Sequence, residues 1–137
     1  MPDNNNNGHT ILVVEDDEGV LDLAVNMFEF SGYTVLQAKD AAEGLACFQE
    51  HPEIDLVFSD LILPGGVTGI EMAKNILEER PGTLFLMATG YSEKGRALAA
   101  KTERLENMQC IAKPYDVHDV TAKVESMIAS RPAAAAP

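Results

Sequence analysis

Between Thr10 and Ser130 the chain alternates, five times over, an apolar run of strand length with a longer stretch whose apolar residues recur at helical spacing. That alternation admits few folds. Parallel strands can be joined only through crossovers long enough to hold a helix, and such helices cover the sheet on both faces. Strands are expected over residues 10–15, 33–38, 54–59, 83–88 and 108–112. The first, third and fourth are nearly continuous hydrophobes, as in Ile11-Leu12-Val13-Val14 and Thr83-Leu84-Phe85-Leu86-Met87-Ala88, and belong in the middle of the sheet. The second, Tyr33-Thr34-Val35-Leu36-Gln37-Ala38, is more polar and suits an edge.

The segments between carry start and stop signals. Asp40-Ala41-Ala42-Glu43 and Thr68-Gly69-Ile70-Glu71 match the capping box, in which a cap oxygen and a Glu three residues on satisfy otherwise orphaned N–H groups. Ser31-Gly32, His51-Pro52 and Arg80-Pro81-Gly82 read as terminators. The first helix places Leu21, Ala24, Val25 and Phe28 on one face, and the last places Val117, Val120, Val124 and Met127 or Ile128. The stretch 92–106 is a weaker helix, with Leu98 and Leu105 set among alanines, charges and Gly95. Met72, Met87 and Met127 read as core filler. Residues 1–9 and 131–137 hold no core-forming residues and are expected to be disordered tails flanking one domain over 10–130.

Length and charge narrow the function. A single domain of 137 residues buries roughly two-thirds of its unfolded surface and needs no disulfide staple. Cys47 and Cys110, far apart in apolar surroundings, read as packed thiols of a reduced, cytoplasmic protein. The asparagine-rich start lacks the features of a signal peptide, and no apolar run approaches the ~20 residues of a membrane span. A net charge of -12 argues against nucleic acid as a direct partner. His9, His51 and His118 show no metal-ligand or triad spacing and are expected in surface or cap roles.

What remains is a set of polar residues at strand ends. In an open parallel sheet ligands bind beyond the carboxyl ends of the strands. Glu15-Asp16-Asp17 ends the first strand, Asp60 the third, Thr89 the fourth and Lys113 the fifth, so acids, a hydroxyl and an amine converge on one edge. Three carboxylates about 5 Å apart repel by ~3 kcal/mol per pair at an effective dielectric of ~20, and something positive must sit among them. Clustered oxygens suit a hard divalent cation, and a lysine on a neighbouring strand end adds to the positive charge. Each residue also has a structural alternative: acids at a helix start cap N–H groups, and for Asp17 that role is preferred. Thr89 alone fits a turn and Lys113 alone a solvated charge.

In this order and at these spacings, "ILVVEDDEG", "DLVFSDLILPGG", "MATGYS" and "IAKPYD" resemble the receiver domain of two-component response regulators over residues 10–130. The resemblance implies a flavodoxin-like (βα)5 doubly wound sheet of order 2-1-3-4-5. It makes Asp60 the phosphoacceptor and gives Glu15, Asp16, Asp60 and the backbone carbonyl of Ile62 to a Mg2+ ion. Thr89 and Lys113 would hold phosphoryl oxygens, and the Lys113-Pro114 bond would be cis. Glu15 replaces the commoner Asp. The loop "PGGVTG" is one residue longer than usual, resembling receivers associated with hybrid histidine kinases, and its three glycines permit positive φ. Cys110 stands where the family usually has a switching aromatic, and Tyr91 is a candidate replacement.

The implied function is that of a phosphorelay receiver and not of an enzyme. Its partners would be a histidine kinase or histidine phosphotransferase and a downstream protein that the sequence does not name, met on the face of the last two helices, 92–106 and 116–130. The expected state is a free-standing monomer or weak dimer. Two rival functions fit less well. A Mg2+-dependent phosphohydrolase with Asp60 as nucleophile would want a second acid two residues on, where Ile62 stands. A phosphorylation-independent receiver-like binding module is favoured only by Cys110.

Overall fold

The computed structural model describes residues 8–90, 93–102 and 107–131. Its elements run β1 (Thr10–Val14), α1 (Glu18–Phe30), β2 (Thr34–Ala38), α2 (Ala41–Glu50), β3 (Ile54–Asp60), α3 (Gly69–Glu79), β4 (Leu84–Thr89), α4 (Glu93–Thr102), β5 (Met108–Ala112) and α5 (Val117–Ala129). A short 3-10 turn, Pro64–Gly66, lies between β3 and α3. All four pairings are parallel and the order is β2-β1-β3-β4-β5, the doubly wound arrangement expected. Tyr91, Ser92, residues 103–106 of the expected fourth helix, and residues 1–7 and 132–137 of the expected tails lie outside the described residues.

Two cores follow from covering the sheet on both faces. On one side Phe48, Met72, Ile76 and Met87 pack with Leu12, Val57 and Phe85 under α2, α3 and α4. On the other, Leu21, Phe28, Val120 and Val124 pack on Ile11, Val13, Leu56 and Leu86 under α1 and α5. Every residue of β1 is buried, whereas β2 at the edge is mostly half-exposed, because only the central strands have neighbours on both sides. An edge-to-face aromatic series, Tyr33 to Phe28 to Phe58 to Tyr115, links the end of α1 with the segment after β5.

Local signals explain the helix boundaries. Asp17 caps α1 by accepting the Val20 N–H at 3.0 Å, and Thr68 and Glu71 form a complete capping box at 3.1 Å in each direction. The match at Asp40 is half a box. Asp40 accepts the Glu43 N–H at 2.8 Å, but the Glu43 carboxylate takes the N–H of Lys39 at 2.9 Å, one residue earlier than expected. In α5 the expected apolar face begins one turn late. Val117 is 54% exposed as the first helical residue, and burial starts at Val120. At the inner ends of the two expected tails, His9 and Arg131 both engage Asp55, at 3.5 and 3.1 Å. Among the described residues no helix is long and apolar enough to cross a membrane.

Arg80, which the sequence offered only as part of a terminator, is a staple. Its guanidinium lies 3.5 Å above the Phe48 ring centroid and donates to the carbonyls of Phe48 and His51 at the end of α2, as a second donor beside the N–H groups of His51 and Ile54. Replacing Arg80 with Ala should lower unfolding free energy by about 2 kcal/mol in urea titrations. Arg80→Lys should recover less than half of that, because a lysine cannot donate to both carbonyls while stacking.

Candidate functional site

The strand order reverses between β1 and β3, and polar residues follow the ends of those two strands. Glu15 comes directly after β1, held by its N–H to the Ala38 carbonyl at 3.0 Å. Asp60 is the last residue of β3, and its neighbour's N–H, that of Leu61, bonds the Ala88 carbonyl at 2.9 Å. Glu15, Asp16 and Asp60 each offer a carboxylate oxygen, and those atoms lie within 4.8 Å of one another. Lys113 reaches in from beyond β5. Its ammonium is 2.5 Å from Asp60 Oδ1 and 3.7 Å from Glu15 Oε1.

Burial sharpens the electrostatics. Glu15 is 7% exposed, and desolvation pushes its carboxyl up to about 7, helped by the nearby Asp60 and opposed by the Asp17 N–H and by Lys113. Burial pulls the Lys113 ammonium down, but its bond to Asp60 and the Asp60 and Glu15 charges outweigh that and raise its pKa. One ammonium thus faces two carboxylates, with exposed Asp16 a third acid at the rim. Hard oxygens at this spacing fit a small divalent cation, held by Glu15, Asp16 and Asp60. Asp17, as preferred, is the helix cap and stands outside the cluster.

The other expected site residues are placed differently. Thr89 ends β4 beside the site, and its hydroxyl donates to the Gly90 carbonyl at 3.3 Å. Leu61 and Leu63 are buried, but the alternation of an extended backbone turns Ile62 outward to 41% exposure, and it bridges to Thr68. Gly65 and Gly66 have φ of +84° and +82°, as three glycines led us to expect, but Gly69 does not. At Gly69 the demand is space. A Cβ there would lie 2.7 Å from the Asp60 carbonyl oxygen, so only glycine lets α3 start against the end of β3. The Lys113-Pro114 bond is cis. Cys110 Sγ lies 3.0 Å from the buried Thr102 hydroxyl, a link from β5 to α4 at the position where the family usually has an aromatic. The expected substitute, Tyr91, lies outside the described residues.

Two residues at the site were missed from sequence. Ser59, buried at 1%, donates its hydroxyl to the Asp60 carbonyl at 2.8 Å, and Tyr115 packs edge-to-face on Phe58 beside Lys113. A serine inside an otherwise apolar strand was the available signal for the first.

Known proteins resemble this chain over most of its length. A family model described as the response regulator receiver domain matches residues 11–125. The photosynthetic apparatus regulatory protein RegA of Rhodovulum sulfidophilum is 32% identical over 117 residues, 85% of this chain and 62% of RegA. The sensor kinase CckA of Brucella abortus is 28% identical over 120 residues, 87% of this chain but 12% of CckA. The chain therefore spans less than two-thirds of the length of these curated relatives. Among solved structures, a response regulator receiver domain protein from Clostridium thermocellum superposes with a TM-score of 0.78 at 26% identity, covering 88% of this chain and 94% of the other. A CheY-like receiver protein from Methanospirillum hungatei does so with 0.76 at 30% identity, covering 90% and 95%.

The raised Glu15 pKa sets a pH dependence for the metal-free protein. A carboxyl at about 7 when folded and about 4.5 when unfolded favours the folded state below 4.5, and that contribution is lost as pH rises through 7. In chelator, urea midpoints of the native chain should therefore fall relative to Glu15→Gln between pH 5 and pH 8. Parallel midpoints across that range would contradict the assignment.

Proposed function

Since the chain belongs to the family of response regulator receiver domains, we propose that Asp60 accepts a phosphoryl group from a phosphohistidine of a histidine kinase or histidine phosphotransferase. The observation that carries the reading is the ammonium of Lys113 on Asp60 inside a half-buried acid cluster. An Asp60 oxygen attacks phosphorus as the P–N bond breaks, giving an aspartyl phosphate. The free Asp60 oxygen has an electrophile's approach open to it because Asp60 ends its strand and is partly exposed.

Glu15, Asp16, Asp60 and the carbonyl of Ile62 would hold Mg2+, which when bound neutralises charge on the phosphoryl group in transfer. Lys113 holds Asp60 in place before transfer; afterwards its ammonium pairs with a phosphoryl oxygen. Thr89 gives up its 3.3 Å bond to Gly90 and donates to another. These two contacts exist only in the modified protein, so they supply the differential affinity that shifts the domain between two states. The signal leaves by contact with a downstream protein. The link between Cys110 and Thr102 offers a route from β5 to α4 without a switching aromatic.

Intact mass after incubation with Mg2+ and a small-molecule phosphodonor tests the reading. The native chain should gain one phosphoryl group, and Asp60→Asn or chelation of Mg2+ should abolish the gain. Failure of both that donor and a phosphorylated kinase to label the native chain would contradict it. A partner bound equally well by Asp60→Ala would favour a phosphorylation-independent binding module instead.

A further inference from the structure

The structure assigns Ser59 as a positioning residue for Asp60, an inference that rests on Asp60 being the phosphoacceptor. Residue 59 sits in the most enclosed part of the sheet, paired with Val14 on one side and Met87 on the other, and is 1% exposed. An apolar side chain would fill that place without a polar atom to satisfy, as Leu56, Val57 and Phe58 do just before it. A hydroxyl is tolerable there only with a partner, and the partner is the carbonyl of Asp60 at 2.8 Å.

That carbonyl needs holding. The pairing of β1 with β3 ends at Val14 and Ser59, one residue short of Asp60, so on that side the ladder runs out where the phosphoacceptor stands. On the other side, the Leu61 N–H bonds Ala88 at 2.9 Å. The peptide unit joining Asp60 to Leu61 is thus clamped at both ends, its N–H by β4 and its C=O by Ser59. Fixing that plane fixes the backbone torsions on either side of it, and with them the direction in which the Asp60 carboxylate leaves the chain. The same carbonyl lies against Gly69, where a Cβ would approach to 2.7 Å, so a swing of this peptide would collide with the start of α3.

Small displacements of a reacting group carry large rate penalties, up to about a hundredfold for 1 Å. Loss of the hydroxyl should allow a fraction of that displacement. Ser59→Ala opens little space and keeps the strand. With saturating Mg2+ and small-molecule phosphodonor, we expect it to take up phosphoryl roughly tenfold more slowly than the native chain. Half-saturating concentrations of Mg2+ and donor and the thermal midpoint should stay near native. Ser59→Thr, which keeps the hydroxyl, should restore most of the rate. A merely structural role would move the midpoint and leave the saturated rate alone. Ser59→Ala labelling at the native rate, or Ser59→Thr as slow as Ser59→Ala while folded, overturns the inference. A native chain that no donor labels instead removes the reading of Asp60 on which it rests.

Discussion

Everything at this site depends on one ammonium set between two carboxylates in a place water only partly reaches. Lys113 touches Asp60 and lies within ion-pair distance of Glu15, while Asp16 adds a third acid at the rim. A single positive charge does not balance three negative ones. Burial first, and the nearby Asp60 charge with it, raise the Glu15 carboxyl to about 7. Two remedies exist, a proton or a divalent cation, and they compete for the same oxygens. On the proposed reading, a phosphoryl group arriving at Asp60 would bring further negative charge, which a cation and Lys113 together would offset.

The topology makes this arrangement possible. Reversal of the strand order between β1 and β3 separates the helices that cover the two faces and leaves the C-terminal ends of those strands open between them. Glu15 and Asp60 occupy those ends because buried strands cannot hold charge along their length and can release it only where the ladder stops. Arg80 secures the end of α2, and Asp17 and the Thr68–Glu71 box secure the starts of α1 and α3 beside the site. Ser59, Gly69 and the Leu61 N–H secure the peptide that follows Asp60.

Much of this is legible in the sequence. Continuous apolar runs at β1, β3 and β4 marked central strands, since only strands flanked on both sides are buried on both faces. The acids at their ends could be placed from strand boundaries alone. What could not be read was anything set by contact across the chain. Gly69 looked like a conformational requirement but answers to the Asp60 carbonyl. Ile62 stands between two buried leucines but faces outward, because alternation along an extended segment overrides composition. Val117 fitted the helical period of α5 yet lies before its buried stretch. Arg80 finds Phe48 32 residues earlier in the chain, a pairing no local pattern encodes.

Calorimetric titration with Mg2+ at pH 7, in two buffers of different protonation enthalpy, tests the competition between proton and cation most directly. We expect Mg2+ binding to release a fraction of a proton from the native chain, seen as a buffer-dependent heat. Glu15→Gln should lose that release, and Asp60→Ala should bind Mg2+ weakly. Buffer-independent heats for the native chain, or binding unchanged in both variants, would contradict the claim that the buried acids of this cluster drive cation binding.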